Sequence, residues 1–270
     1  MNVEYKNKKG TYPIFLESVK NKTLTIACDK NTKPFADEIK TLLINNGTQV
    51  KTCFFDDADL IPTEEKCTEL KTVANKTDYV LAVGSGSLND MCKYVSTSLD
   101  IPCGVLITAA SMDGYVSKGS AIMVNGVKIT YDVHVPTDIL IDHEIIGKAP
   151  RLMTAAGFGD IIGKYTCLTD WQLSNIVNGE EINKEAFELM EKALNSCVSL
   201  FDDLKEYKKE AVEKLTNALI TAGVSMAICG NSRPASGSEH HMSHFLEMDF
   251  VRRGEKIPLH GVKASTAQKN

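Results

Sequence analysis

Six histidines occur in this 270-residue chain, and four of them fall between positions 240 and 260. His240, His241 and His244 follow Gly230-Asn-Ser-Arg-Pro-Ala-Ser-Gly-Ser-Glu239, a loop sequence rich in Gly, Ser and Pro that runs into a helix near Ser238. On that helix the four-residue separation of His240 and His244 puts both imidazoles on one face. Such a pair can hold a metal, or hold a metal and pass a proton. Any one of these histidines taken alone reads more readily as a helix cap or a surface residue. His260, followed by Gly261, stands just beyond the cluster.

A second chemistry lies in Gly84-Ser-Gly-Ser-Leu-Asn-Asp90, which directly follows the apolar run Tyr79-Val-Leu-Ala-Val83 and precedes a helical pattern. Strand, glycine turn and helix start form a phosphate cradle: the glycines let the backbone approach a pyrophosphate, and the free N–H groups of the first turn point at its charge. Asn89 departs from the GxGxxG fingerprint, and a glycine turn alone can also be simply a tight turn. Asp29 ends the first strand, and the polar loop from Thr108 to Ser117 ends another. Both lie where open α/β sheets bind ligands, beyond the carboxyl ends of strands. Asp29 there either hydrogen-bonds a ribose or caps the next helix. In Gly157-Phe-Gly-Asp160 the aspartate follows two glycines at a break or start in the helical pattern, where it caps a turn or faces a cleft.

The elements that must position these residues follow from periodicity. Thr23 to Cys28, Gln49 to Phe55, Tyr79 to Val83, Cys103 to Ile107 and Asp138 to Asp142 read as strands; helical patterns over 35–46, 64–75 and 90–98 alternate with them. That alternation predicts a parallel sheet covered on both faces. Ala121 to Thr130 interrupts it as a hairpin about Asn125-Gly126. From Lys148 onward the pattern is helical, so an α/β nucleotide-binding domain over 1–145 and an all-helical metal-binding domain over 146–270 are expected. Hydrophobic content of 43% and charged content of 24% are those of a globular protein, and a net charge of −5 gives no electrostatic reason to expect nucleic acid. No apolar run of roughly eighteen residues and no signal-like N-terminus is seen, so a soluble protein without a membrane span is expected. The eight cysteines never stand closer than Cys92 and Cys103. They read as reduced core residues of a cytoplasmic protein.

Five ordered stretches, Gly84–Asp90, Ala110–Ser117, Gly157–Tyr165 with Asp170-Trp171, Ser232–His240 and Leu259–Gly261, together resemble the sn-glycerol-1-phosphate dehydrogenases. Those enzymes belong to the superfamily of glycerol dehydrogenase and the iron-containing alcohol dehydrogenases, whose fold dehydroquinate synthase shares. The resemblance implies a Rossmann-like parallel-sheet domain followed by an all-α domain, here C-terminally shortened. It implies a divalent metal on Asp160, His240 and His260, a ligand set suited to zinc and also to iron or nickel. His244 would relay a proton, and His241 would face away. Asp113 would lie near substrate and nicotinamide, although Met-Asp-Gly is equally a turn. NAD or NADP would rest on Asp29, Gly84, Ser85, Gly86, Ser87, Asn89, Asp90, Thr108, Ser111 and Ser117. Ser232, Arg233 and Lys164 would meet a substrate phosphate, with Arg233 alternatively fixing its loop through a carboxylate.

The implied reaction is hydride transfer between NAD(P)H and dihydroxyacetone phosphate. The alternatives are a glycerol or polyol dehydrogenase, a lyase of dehydroquinate-synthase type, and a shortened homologue that binds nucleotide without turnover. The family continues well past His-Gly, whereas this sequence stops nine residues after Gly261. Apolar surface left open on the helical domain would then favour a homo-oligomer. The N-terminus likewise leaves little room for a helix before the first strand.

Overall fold

A computed structural model describes residues 1–255 and 258–267, in two compact units: 1–108 with 119–148, and 109–118 with the described residues from 149 onward. The first unit runs β1 (Asn2–Tyr5), α1 (Pro13–Val19), β2 (Thr23–Asp29), α2 (Lys33–Asn45), β3 (Gln49–Phe55), α3 (Glu64–Val73), β4 (Tyr79–Gly84), α4 (Gly86–Leu99), β5 (Cys103–Ile107), β6 (Gly119–Val124), β7 (Val127–Asp132), β8 (Asp138–Ile141) and α5 (His143–Ile146). Its sheet has the order β1-β8-β5-β4-β2-β3, with every neighbouring pair parallel. β4, β5 and β8 are buried along their whole length, which is why they read as continuous apolar runs. Phe15, Ala36, Ile39 and Leu43 of the covering helices pack with Leu24, Ile26, Leu81 and Leu106 of the sheet. β6 and β7 form the expected hairpin, and Asn125 and Gly126 both adopt positive φ (50° and 79°), as a tight two-residue turn requires.

The expected fold class is found, with one addition at the N-terminus. The polar opening residues form β1, which pairs with β8, and α1 follows before β2. An edge strand with only Glu4 buried shows no apolar alternation, which hid it from a reading of hydrophobic pattern. Glu4 is buried because its carboxylate accepts the N–H groups of Ile14 (3.0 Å) and Phe15 (2.9 Å), donors at the start of α1 with no partner inside the helix.

The second unit contains the segment 109–118, with a 3-10 turn at Gly114–Val116, then α6 (Arg151–Ile162), α7 (Lys164–Asn178), α8 (Lys184–Val198), α9 (Phe201–Lys205), α10 (Lys209–Cys229), α11 (Ser238–Arg253) and α12 (His260–Ala267). Ala211, Leu215, Ala218, Leu219 and Ala222 line the buried stripe of α10, and Met190, Leu194 and Cys197 that of α8. Two glycines seat the 109–118 segment on this helical body. A Cβ at Gly157 of α6 would overlap the Ala110 carbonyl, and one at Gly223 of α10 would come within 2.8 Å of the Asp113 carbonyl and 2.9 Å of Val116 Cβ.

Candidate metal centre

Asp160 lies inside α6, two residues before its end, and is fully buried; it does not cap a helix. α11 carries His240 in its first turn, and α12 begins with His260. The three side chains converge, and one ligand atom from each lies within 4.8 Å of the other two. His240 Nε2 and His260 Nε2 face each other at 2.9 Å, and Asp160 Oδ1 is 3.9 Å from His260 Nε2. A four-coordinate ion with metal–nitrogen distances of about 2.0–2.1 Å spaces its donors by about 3.3 Å. One carboxylate and two inward-facing imidazoles at this separation fit a divalent cation. His244 stands behind them, its ring centroid 6.4 Å from that of His240 and 6.0 Å from that of His260. His241, on the other side of the helix, is exposed.

The imidazoles are aimed by neighbours. Glu239 Oε1 takes the Nδ1 proton of His240 at 2.7 Å and the Gly237 N–H at 3.2 Å, which turns Nε2 toward Asp160 and His260. The loop before α11 hangs on one stripe of α7. Lys164 donates to the Ala235 carbonyl (3.0 Å), the Cys167 thiol to the Arg233 carbonyl (3.1 Å), and Asp170 accepts the Ser238 N–H (2.8 Å). α12 is held at Gly261, where any Cβ would overlap the Ala156 carbonyl of α6, so the backbones touch and His260 is brought to Asp160.

Lys164 is fully buried and divides its ammonium between Asp113 Oδ2 (2.7 Å), Asp160 Oδ1 (3.1 Å) and the Ala235 carbonyl. The ammonium is thus engaged by two carboxylates and a carbonyl of the protein itself. Asp160 also accepts the Asp113 N–H at 3.0 Å, so the turn carrying Asp113 is clamped to the aspartate of the triad. Burial would raise the Asp160 carboxyl, but the charges of Lys164, His260 and His240 hold it below the usual carboxylate range. Asp113 moves upward, through burial and then through the neighbouring Asp160. Burial lowers Lys164, but the two aspartates outweigh it and keep the amine protonated.

Arg233 grips Glu180 through Nε (2.8 Å) and Nη2 (3.1 Å) and donates to the Asp170 carbonyl, which spends the guanidinium on its own loop. Ser232 is exposed at the same loop. In the first unit, Ser85 is extended and α4 starts at Gly86, so the N–H groups of the first turn stand at the carboxyl end of β4. Thr108 donates its N–H to the Gly84 carbonyl (3.2 Å), keeping the ends of β4 and β5 side by side. Ser85, Gly86 and Ser87 are half-buried, and Asn89 is fully buried. Asp90 pairs with Lys93 (3.1 Å) and accepts the Ala121 N–H (3.3 Å), which ties α4 to the hairpin. Asp29 accepts the N–H groups of Asn31 and Thr32 at 2.9 Å each and shapes the turn into α2. In the second unit Ser111 meets the Tyr115 hydroxyl at 3.3 Å, and Ser117 donates to the Gly114 carbonyl at 3.1 Å. Reading residue types missed Glu239, Gly223 and Gly261 as positioning residues; the Glu directly before a histidine and a glycine inside an apolar helix were the available signals.

Comparison with known proteins places the chain by family and fold. A family model described as iron-containing alcohol dehydrogenase matches residues 5–150. A glycerol-1-phosphate dehydrogenase [NAD(P)+] of Halalkalibacterium halodurans is 36% identical over 269 residues, covering 98% of this chain and 65% of the relative. One of Bacillus subtilis is 31% identical, covering 94% and 66%. The chain thus spans about two thirds of the length of these curated relatives. Among solved structures, glycerol dehydrogenase from Schizosaccharomyces pombe superposes with a TM-score of 0.79 at 19% identity, covering 94% of this chain and 65% of that one. An iron-containing alcohol dehydrogenase from Thermotoga maritima gives 0.69 at 15% identity, covering 98% and 74%. At such identities the superpositions speak for the fold alone; the matched family model, which spans more than half of the chain, shows that it belongs to the iron-containing alcohol dehydrogenase family.

Proposed function

We propose that this protein transfers a hydride between NAD(P)H and dihydroxyacetone phosphate, forming sn-glycerol 1-phosphate. The observation that carries the reading is the convergence of Asp160, His240 and His260, in a chain 36% identical to a relative named for this activity. These three side chains would hold one divalent cation, zinc by preference. When bound, it supplies Lewis-acid polarisation of a carbonyl and, in reverse, a lowered pKa for the secondary alcohol. Glu239 holds His240 in the tautomer whose Nε2 is free to ligate. Lys164 fixes the Asp113 carboxylate beside the substrate, and His244 gives or takes the proton at the substrate oxygen, directly or through water. The first-turn N–H groups after Gly84 take the dinucleotide pyrophosphate, with Ser85 and Ser87 as hydroxyl donors. Of the cationic groups proposed for the substrate phosphate, Lys164 and Arg233 are occupied by carboxylates, so Ser232 and backbone donors of its loop remain for that task.

The test is oxidation of NADH or NADPH by dihydroxyacetone phosphate before and after chelation. Activity that disappears with the metal and returns on adding zinc is expected. Undiminished turnover after complete removal of metal overturns the reading, and faster turnover of free glycerol than of glycerol 1-phosphate transfers it to a polyol dehydrogenase.

A further inference from the structure

Two of the contacts between α11 and α12 are polar and buried or half-buried. At the first, His240 and His260 face each other across 2.9 Å. At the second, Lys263 Nζ donates to Glu247 Oε2 at 3.0 Å, with side-chain exposures of only 4% and 10%. Lys263 lies three residues after His260, and Glu247 lies three residues after His244 and seven after His240. Each partner therefore shares a helix face with a residue of the histidine cluster, about one turn from His260 and two turns from His240. Two cross-links one turn or more apart fix both the rotation of α12 about its axis and its slide along α11.

The chemistry of the second contact matters. An apolar pair would bury as well in several neighbouring registers, because apolar attraction has no direction. A buried ion pair adds little net stability over such a pair, but it strongly penalises any register in which its charges are parted. We infer that Glu247–Lys263 is a positioning pair, which sets the register of α12 so that His260 Nε2 faces Asp160 and His240. The inference rests on the proposed metal site and deepens it, since neither residue touches the ion.

The measurement is cobalt(II) binding, followed by chelator competition and by the visible absorption of the bound ion, on K263M, E247Q, K263R and the apolar double variant E247L/K263M. Loss of the pair is expected to weaken cobalt by about tenfold or more, the range found when groups behind a ligand are removed. The spectrum should change, while far-UV circular dichroism stays at that of the parent. K263R should keep most of the affinity. The double variant should regain thermal stability without regaining affinity, which separates register from packing and holds even if a single variant fails to fold. Recovery of affinity together with stability in E247L/K263M overturns the inference, as does parental affinity in folded K263M. D160N is the control: if it binds cobalt as tightly as the parent, the metal site itself is wrong, whereas if it alone loses the ion, only the role of the pair falls.

Discussion

At the scale of single residues, the centre depends on how charge is compensated among buried groups. Asp113, Asp160 and Lys164 are all buried, and one ammonium serves both carboxylates. Replacing that lysine by methionine keeps the volume and removes the one buried ammonium that both carboxylates share. The expected cost is about 3–5 kcal/mol, the usual effect of removing one partner from a buried pair. Denaturant unfolding of Lys164→Met against the parent, both free of metal, checks it, and a loss below about 1 kcal/mol would contradict the compensation described here. His240 and His244 were legible in the sequence as a pair on one helix face, whereas Asp160 and His260 entered as ligands only through the family resemblance. The role of Lys164 was not legible, since a lysine near a proposed anion site reads as an anion binder until the two buried carboxylates beside it are seen.

At the scale of elements, glycine decides how closely the backbones meet. Gly157 and Gly223 let the 109–118 segment lie on α6 and α10, and Gly261 lets α12 lie on α6. Gly223 sits mid-helix, where alanine would favour the helix itself by up to about 1 kcal/mol. Packing reverses the sign, because the added methyl meets the Asp113 carbonyl at 2.8 Å and Val116 at 2.9 Å. Gly223→Ala is therefore expected to destabilise the protein by about 1–3 kcal/mol, the range for overpacking, and to displace Asp113 from Lys164. Thermal unfolding reads the first effect. The second should appear as a fall in turnover with dihydroxyacetone phosphate larger than any change in cobalt affinity, and a variant more stable than the parent would refute the contact.

At the scale of the whole molecule, the eight cysteines test how completely both units are packed. All are free, and seven are buried, with Cys229 at the end of α10 half-exposed. Burial pushes the thiols of Cys53, Cys67 and Cys167 up to about 12. Thiolate is the reactive form, so these positions are doubly protected in the native state. Iodoacetamide at pH 8 is expected to modify Cys229 first and about one thiol per native chain, and all eight after denaturation; mass spectrometry of the peptides decides it. Early labelling of Cys167 would show that α7 and the loop hung on it open far more readily than the hydrogen bonds indicate. No helix among the described residues is long and apolar enough to cross a membrane.

The sequence by itself determined the fold class and the candidate chemistry. Strands buried on both faces must be written as apolar runs, helices with one buried face must show their period, and a metal needs side chains of particular types. Those are local properties of the chain, and they are visible residue by residue. Only the tertiary structure decided which groups share an atom-scale neighbourhood: Glu4 with the start of α1, Asp113 with Lys164, Glu247 with Lys263. Such pairs join positions separated by ten to more than fifty residues, and their energy depends on burial and direction, neither of which composition or spacing records. The same holds for Asp160. Its neighbours in sequence read as a helix break, yet the glycines before it belong to a continuous helix whose bare backbone is covered by another part of the fold.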